Sequence, residues 1–101
     1  MTHLYEDLKG KFSNIPMPFM AVDLDAFDLN VKKIVAKAKS TGKFLRPATK
    51  SIRVPELIKR VKEIGGDTVN GFMVYSCLEA EFLASFDLDN FLVAYPTFEK
   101  V

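Results

Sequence analysis

Apolar residues along this chain alternate between two textures. Phe19-Met20-Ala21-Val22, Phe44-Leu45-Arg46, Phe72-Met73-Val74-Tyr75 and Phe91-Leu92-Val93-Ala94-Tyr95 are short runs of the kind that buried strands use. Between the runs, apolar residues recur at helical spacing. One set is Phe27, Val31, Ile34, Val35 and Ala38; the next is Val54, Leu57, Ile58, Val61 and Ile64; the last is Leu78, Phe82, Leu83 and Phe86. Each set forms one apolar stripe, which predicts helices over 25–40, 54–64 and 77–85. The ends carry matching signals. Asp23 and Asp25 are N-cap candidates, Gly42 a C-cap and Pro55 a first-turn residue. Ser76 and Glu79 have the spacing of a capping box, and Gly65-Gly66 stops the middle helix.

The order is strand, helix, strand, helix, strand, helix, strand, which points to an α/β fold with parallel pairing. Each βα unit takes about 25 residues, close to the unit of an eight-fold barrel. The expected architecture is therefore the N-terminal part of a parallel (β/α)8 TIM-like barrel, with a small flavodoxin-like sheet as the alternative. Residues 1–17 read as an extended N-terminal arm, punctuated by Pro16 and Pro18, and residues 18–101 as the partial barrel domain. A fourth strand so near the last residue leads us to expect a fragment of a longer chain.

Composition removes several functions. With 14 Lys+Arg against 13 Asp+Glu, the formal charge is +1, which gives no electrostatic footprint for nucleic acid or an anionic membrane. Lys32, Lys33, Lys37 and Lys39 cluster on one helix, where a solvated face that complements the helix dipole accounts for them better than a binding surface. One cysteine makes no internal disulfide, and one histidine leaves no zinc ligand set. No apolar run reaches the roughly 18 residues of a spanning helix. A cytoplasmic chain without structural metal is expected.

Parallel α/β proteins carry their chemistry at the C-terminal ends of the strands. Only one of those ends here holds a reactive amine, Lys50. Such a lysine forms a Schiff base with a carbonyl once burial or neighbouring cations disfavour its ammonium form, and Arg46 and Arg53 are the cations at hand. Ser76 reads better as a cap than as a nucleophile, having no histidine base, and Cys77 as a small buried residue. Asp23 and Asp25 look like paired carboxylates, but capping explains at least one. Gly65-Gly66 lacks the pattern of a phosphate cradle.

These segments resemble a known superfamily. Pro18-Phe19-Met20-Ala21-Val22-Asp23-Leu24-Asp25-Ala26 is similar to the entry segment of fold type III pyridoxal-phosphate enzymes, the alanine racemase N-terminal domain superfamily. Leu45-Arg46-Pro47-Ala48-Thr49-Lys50-Ser51 resembles the lysine motif of its D-threonine aldolase and D-serine dehydratase branch, of amino-acid deaminase/aldolase type. Glu79-Ala80 and Leu92-Val93-Ala94-Tyr95-Pro96 match the same pattern. The resemblance implies that Lys50 is the catalytic lysine and holds pyridoxal 5'-phosphate as an internal aldimine. It implies that Arg46 helps to bind the cofactor and sets the field around its ring. Ala48 and Ile52 stand where that branch has histidines, and Ser51 replaces a threonine. The implied activity is that of a lyase or deaminase on D-amino acids. The implied partners are a small-molecule amino-acid substrate and, for the full-length protein, a second copy in a homodimer. A racemase, a non-catalytic pyridoxal-phosphate-binding protein of the superfamily and a structural or interaction module are the alternatives.

Overall fold

In the computed structural model, which describes residues 2–98, the chain forms four α-helices and one two-stranded parallel sheet. The helices are α1 (Thr2–Lys11), α2 (Leu24–Ser40), α3 (Pro55–Gly65) and α4 (Cys77–Ala84); the strands are β1 (Phe72–Val74) and β2 (Phe91–Val93). Single 3-10 turns occupy Thr49–Ser51 and Gly66–Thr68. The strands pair in the register Phe72 with Phe91, Met73 with Leu92 and Val74 with Val93, and α4 makes the crossover between them. The side chain of His3 lies outside the described residues.

The three stretches fold as helices where the spacing predicts them, although Ile34, Val54, Leu78 and Phe82 of the expected stripes are exposed; the helix ends show why they form. Asp23 caps α2, its side chain accepting from the Ala26 N–H at 3.0 Å. Thr41 closes that helix, and Gly42 follows at φ 67°, a conformation glycine adopts without a Cβ penalty. Pro55 opens α3, and Gly66 at φ 53° ends it. Lys62 donates to the carbonyls of Gly66 (2.9 Å) and Val69 (2.6 Å) and so secures the α3 exit. Lys32, Lys33, Lys37 and Lys39 are exposed, as a solvated face requires.

The core forms where α2, α3 and α4 meet the sheet. Val35, Ile58, Val61, Val69, Phe72, Val74, Leu83 and Leu88 make one buried cluster. Across the α2–α3 contact, Arg60 grips Asp28 with both arms, Nε to Oδ1 at 2.5 Å and Nη2 to Oδ2 at 2.7 Å.

Two expectations are corrected. The first is the arm, expected extended; residues 2–11 are helical, with Leu4 and Leu8 one turn apart and Lys9 and Lys11 in the last turn. Phe12, just beyond, packs on Phe19 with ring centroids 5.2 Å apart. The second is the barrel. The described residues make a two-stranded sheet and four helices, not the N-terminal part of a (β/α)8 barrel. Residues 19–22 form no strand, and Met20 is 98% exposed. The 44–46 run touches its neighbour through isolated parallel bridges only, Leu45 to Val69 and Ala48 to Met73. Three steps separate the first pair of residues and four the second, so the partner segment carries an extra residue, a bulge. Pro47 has no N–H to extend the ladder past it.

This fold makes two predictions. Ile58→Ala, at a fully buried position, lowers unfolding free energy by about 2–5 kcal/mol, whereas Met20→Ser shifts it by no more than about 0.5 kcal/mol; urea unfolding measures both. The second concerns acid. The hydrogen bond from Arg60 holds the Asp28 carboxyl below its ordinary range; desolvation opposes it, and the charges of Arg60 and Lys32 add lesser pulls in the same direction as the bond. The pair therefore adds stability above the unfolded carboxyl pKa of about 3.9. That contribution is lost as pH falls through the lower folded value. Asp28→Asn reduces the loss of stability that the wild type shows on acidification below about pH 4, read from unfolding midpoints across that range.

Candidate functional site

Lys50 sits in the middle of the Thr49–Ser51 turn, at the C-terminal end of the segment that bridges to β1. The turn is closed by the Thr49 carbonyl, which accepts from the N–H groups of Ile52 (3.0 Å) and Arg53 (2.8 Å). Arg53 then reverses the chain at φ 61°, a left-handed conformation unfavourable for a side chain of its size and of a kind that gathers at functional loops. Val54 caps the entry to α3 from an extended backbone. The chain thus makes a sharp corner directly after Lys50.

Thr49 anchors that corner. It is 1% exposed, and its hydroxyl donates to Glu79 Oε2 at 2.9 Å, with the Met73 carbonyl at 3.4 Å. The other carboxylate oxygen of Glu79 accepts from the Tyr75 N–H at 2.7 Å. Ser76 caps α4 by accepting from the Glu79 N–H at 3.1 Å, which supports the cap reading over the nucleophile reading. One glutamate therefore joins the Lys50 turn, the end of β1 and the start of α4.

Lys50 itself is exposed. It lines a cleft of about 20 Å³ with Ala48, Thr49, Met73, Val74, Tyr75 and Tyr95. Tyr75 and Tyr95, each just past the C-terminal end of its strand, pack with centroids 5.4 Å apart and planes tilted by 58°. They also border an adjoining depression of about 180 Å³, which Ser76, Pro96 and Thr97 complete. The arrangement offers an amine on a fixed turn beside two aromatic faces at the strand ends.

Arg46 is not part of it. Its guanidinium donates to the Asn90 carbonyl (2.6 Å), the Asn90 side-chain oxygen (3.3 Å) and the Phe72 carbonyl (3.4 Å). Those partners lie at the N-terminal ends of β1 and β2, whereas everything lining the Lys50 cleft beyond its own segment lies at or past their middle. The structure separates the two residues by the length of the sheet. Arg53 is exposed on the corner, and Cys77 is half-buried in the first turn of α4. Among the described residues, no group of three or more His, Cys, Asp and Glu side chains could hold a metal ion. No helix among them is long and apolar enough to cross a membrane.

No protein-family model, curated protein or solved structure matches the chain. The chemistry of the site therefore rests on its own residues. An amine can react with an aldehyde and a tyrosine face can meet a flat ring, but the cleft of about 20 Å³ beside Lys50 encloses no ring, so one would lie against the open surface.

Two participants escaped the sequence. Glu79 is visible there as the second half of a capping box and within the resembling Glu79-Ala80 pair, but neither signal shows its hydroxyl partner thirty residues away. Tyr95 was legible as a strand end but not as the neighbour of Tyr75; they stand two and one residues past the ends of paired strands, so the register does not set them directly opposite.

The Arg46 cluster yields a sharp test. A Cβ on buried Gly71 would overlap the Asn90 carbonyl oxygen and Arg46 Nη1, and the first of these is backbone. Gly71→Ala is expected to cost about 1–3 kcal/mol. Gly10→Ala in α1, where a Cβ meets nothing within 4 Å, leaves thermal stability unchanged or higher.

Proposed function

We propose that this chain supplies the cofactor-bearing lysine of a pyridoxal-phosphate-dependent lyase or deaminase that acts on D-amino acids. The observation that carries the reading is Lys50 on an anchored turn at the C-terminal edge of parallel strands, beside Tyr75 and Tyr95. The resemblance of residues 45–51 to the lysine motif of that branch agrees with it.

Each residue has a task in this reading. The Lys50 amine, once unprotonated, is the nucleophile for the cofactor aldehyde, and later the group that holds or returns a proton. Tyr75 and Tyr95 present flat, partly apolar surfaces that orient a ring and exclude water from one side of it. The corner at Arg53 limits where the amine can travel. Arg46 acts at a distance, by holding the strand order that places Lys50. When bound, pyridoxal phosphate supplies an electron sink for the bond broken at the amino-acid Cα. Ala48 and Ile52, standing where that branch has histidines, offer no titratable group on either side of the lysine. This makes Lys50 the main proton carrier in residues 46–53. The cytoplasm is the compartment we assign, given a single thiol.

An interaction module is the second reading, favoured by apolar surface. An apolar groove of about 320 Å³ runs between α2 and residues 45–47, lined by Phe27, Val31, Ile34 and Leu45 among others.

Borohydride trapping separates the two. After incubation with pyridoxal phosphate and reduction, peptide mapping is expected to find the pyridoxyl group on Lys50. Lys50→Ala abolishes that label, and Lys37→Ala, on the exposed face of α2, leaves it. Equal labelling of the surface lysines, or none, refutes the cofactor reading.

A further inference from the structure

We infer that Glu79 is the positioning residue for Lys50: its carboxylate, shared between the Thr49 hydroxyl and the Tyr75 N–H, fixes the direction in which the lysine leaves the sheet. The inference rests on the pyridoxal-phosphate reading for its functional meaning and on hydrogen bonds alone for its geometry.

Besides this link, the turn is held mainly by Ile52, whose partly buried side chain packs against the core. The backbone pairing of residues 45–48 with the segment leading into β1 is interrupted by Pro47 and by the bulge, and its last bond runs from the Met73 N–H to the Pro47 carbonyl at 2.9 Å. Beyond it, Lys50 and Ser51 are exposed. Thr49 is thus the final buried residue before the corner, and its bond to Glu79 is the side-chain link from the turn to α4. The same carboxylate holds Tyr75 at 2.7 Å, so the lysine turn and the tyrosine strand end are referenced to one rigid group. Ser76, by capping α4 through the Glu79 N–H, fixes the backbone from which that group projects. Bonds to a carboxylate are stronger than neutral ones, and the one from Thr49 is partly screened from water. A lysine on a flexible four-carbon stem reaches one place reliably only if its Cα is fixed. Glu79 supplies that fixity without touching the cofactor.

Gln at position 79 can keep both links. Its oxygen accepts from Tyr75 and its amide donates to the Thr49 oxygen, while the hydroxyl proton turns to the Met73 carbonyl. Ala at 79 keeps neither link. Thr49→Val breaks the link from the other side with little change of volume and leaves the Tyr75 bond intact.

The test has a cofactor-free arm and a loaded arm. In the chain alone, backbone ¹⁵N relaxation and amide exchange are measured for residues 49–53 in wild type, Glu79→Ala, Glu79→Gln and Thr49→Val. Glu79→Ala and Thr49→Val are expected to mobilise the Lys50 amide and to speed exchange at Arg53 about tenfold. Glu79→Gln stays near wild type, and amides in α2 and α3 stay unchanged in all four. With pyridoxal phosphate as the probe, the concentration giving half-maximal labelling of Lys50 rises about tenfold in the two loosened variants and recovers in Glu79→Gln. Unchanged order at Lys50 in both Glu79→Ala and Thr49→Val overturns the inference, as does uniform loosening of α2 and α3. A wild-type chain that takes no label while its turn loosens in Glu79→Ala defeats the cofactor reading and sustains the tether.

Discussion

Pro47 is the constraint on which the rest of the structure turns. Placed in a segment that runs parallel to β1, it withdraws the one N–H that would continue the ladder, and a bulge on the partner side accompanies it. Backbone pairing past Pro47 is reduced to the single Ala48–Met73 bridge. Side chains complete the task at both ends. At the N-terminal end Arg46 reaches to Asn90 and Phe72, and the Asn90 amide donates to the Asn70 carbonyl, so the bulge is closed by side-chain hydrogen bonds. At the C-terminal end Thr49 is tied to Glu79. The segment is pinned twice, and the second pin stands directly before Lys50.

The two ends of the sheet consequently have different roles. The N-terminal end is a closed polar knot around buried Gly71, whose lack of a Cβ makes the approach of Arg46 and Asn90 possible. The C-terminal end is open: a lysine, two tyrosines and shallow depressions, on loops set by a rigid corner. In parallel α/β proteins the C-terminal strand ends are where binding and catalytic groups gather.

How much of this was legible in the sequence varies with the range of the interaction. Helices α2, α3 and α4 were readable because stripe, cap and stop are all local: Asp23, Pro55 and Ser76 act within a turn of their own positions. Parallel pairing of residues 72–74 with 91–93 followed from two apolar runs flanking a helix. The first apolar run misled, because Phe19-Met20-Ala21-Val22 has the composition of a strand, and composition does not reveal whether a partner edge is taken up. The arm misled in the opposite sense: Pro16 and Pro18 constrain only their neighbours, leaving residues 2–11 free to form a helix. Lys50 could be picked out as the one strand-end amine, and Arg46 was grouped with it because both fall in the resembling motif of residues 45–51. Four residues along an extended segment are enough to put them at opposite ends of the sheet, and the fold does so.

The central claim is that the reactive end of this molecule is the corner built on Thr49, Lys50 and Glu79, facing Tyr75 and Tyr95. A ¹H–¹⁵N titration of the chain with pyridoxal phosphate tests it most directly. The account predicts shifts confined to residues 48–53, 75–79 and 95–97, with the α2–α3 contact unmoved. Shifts centred instead on the apolar groove along Phe27, Val31 and Ile34, or no shifts at any residue, would contradict it.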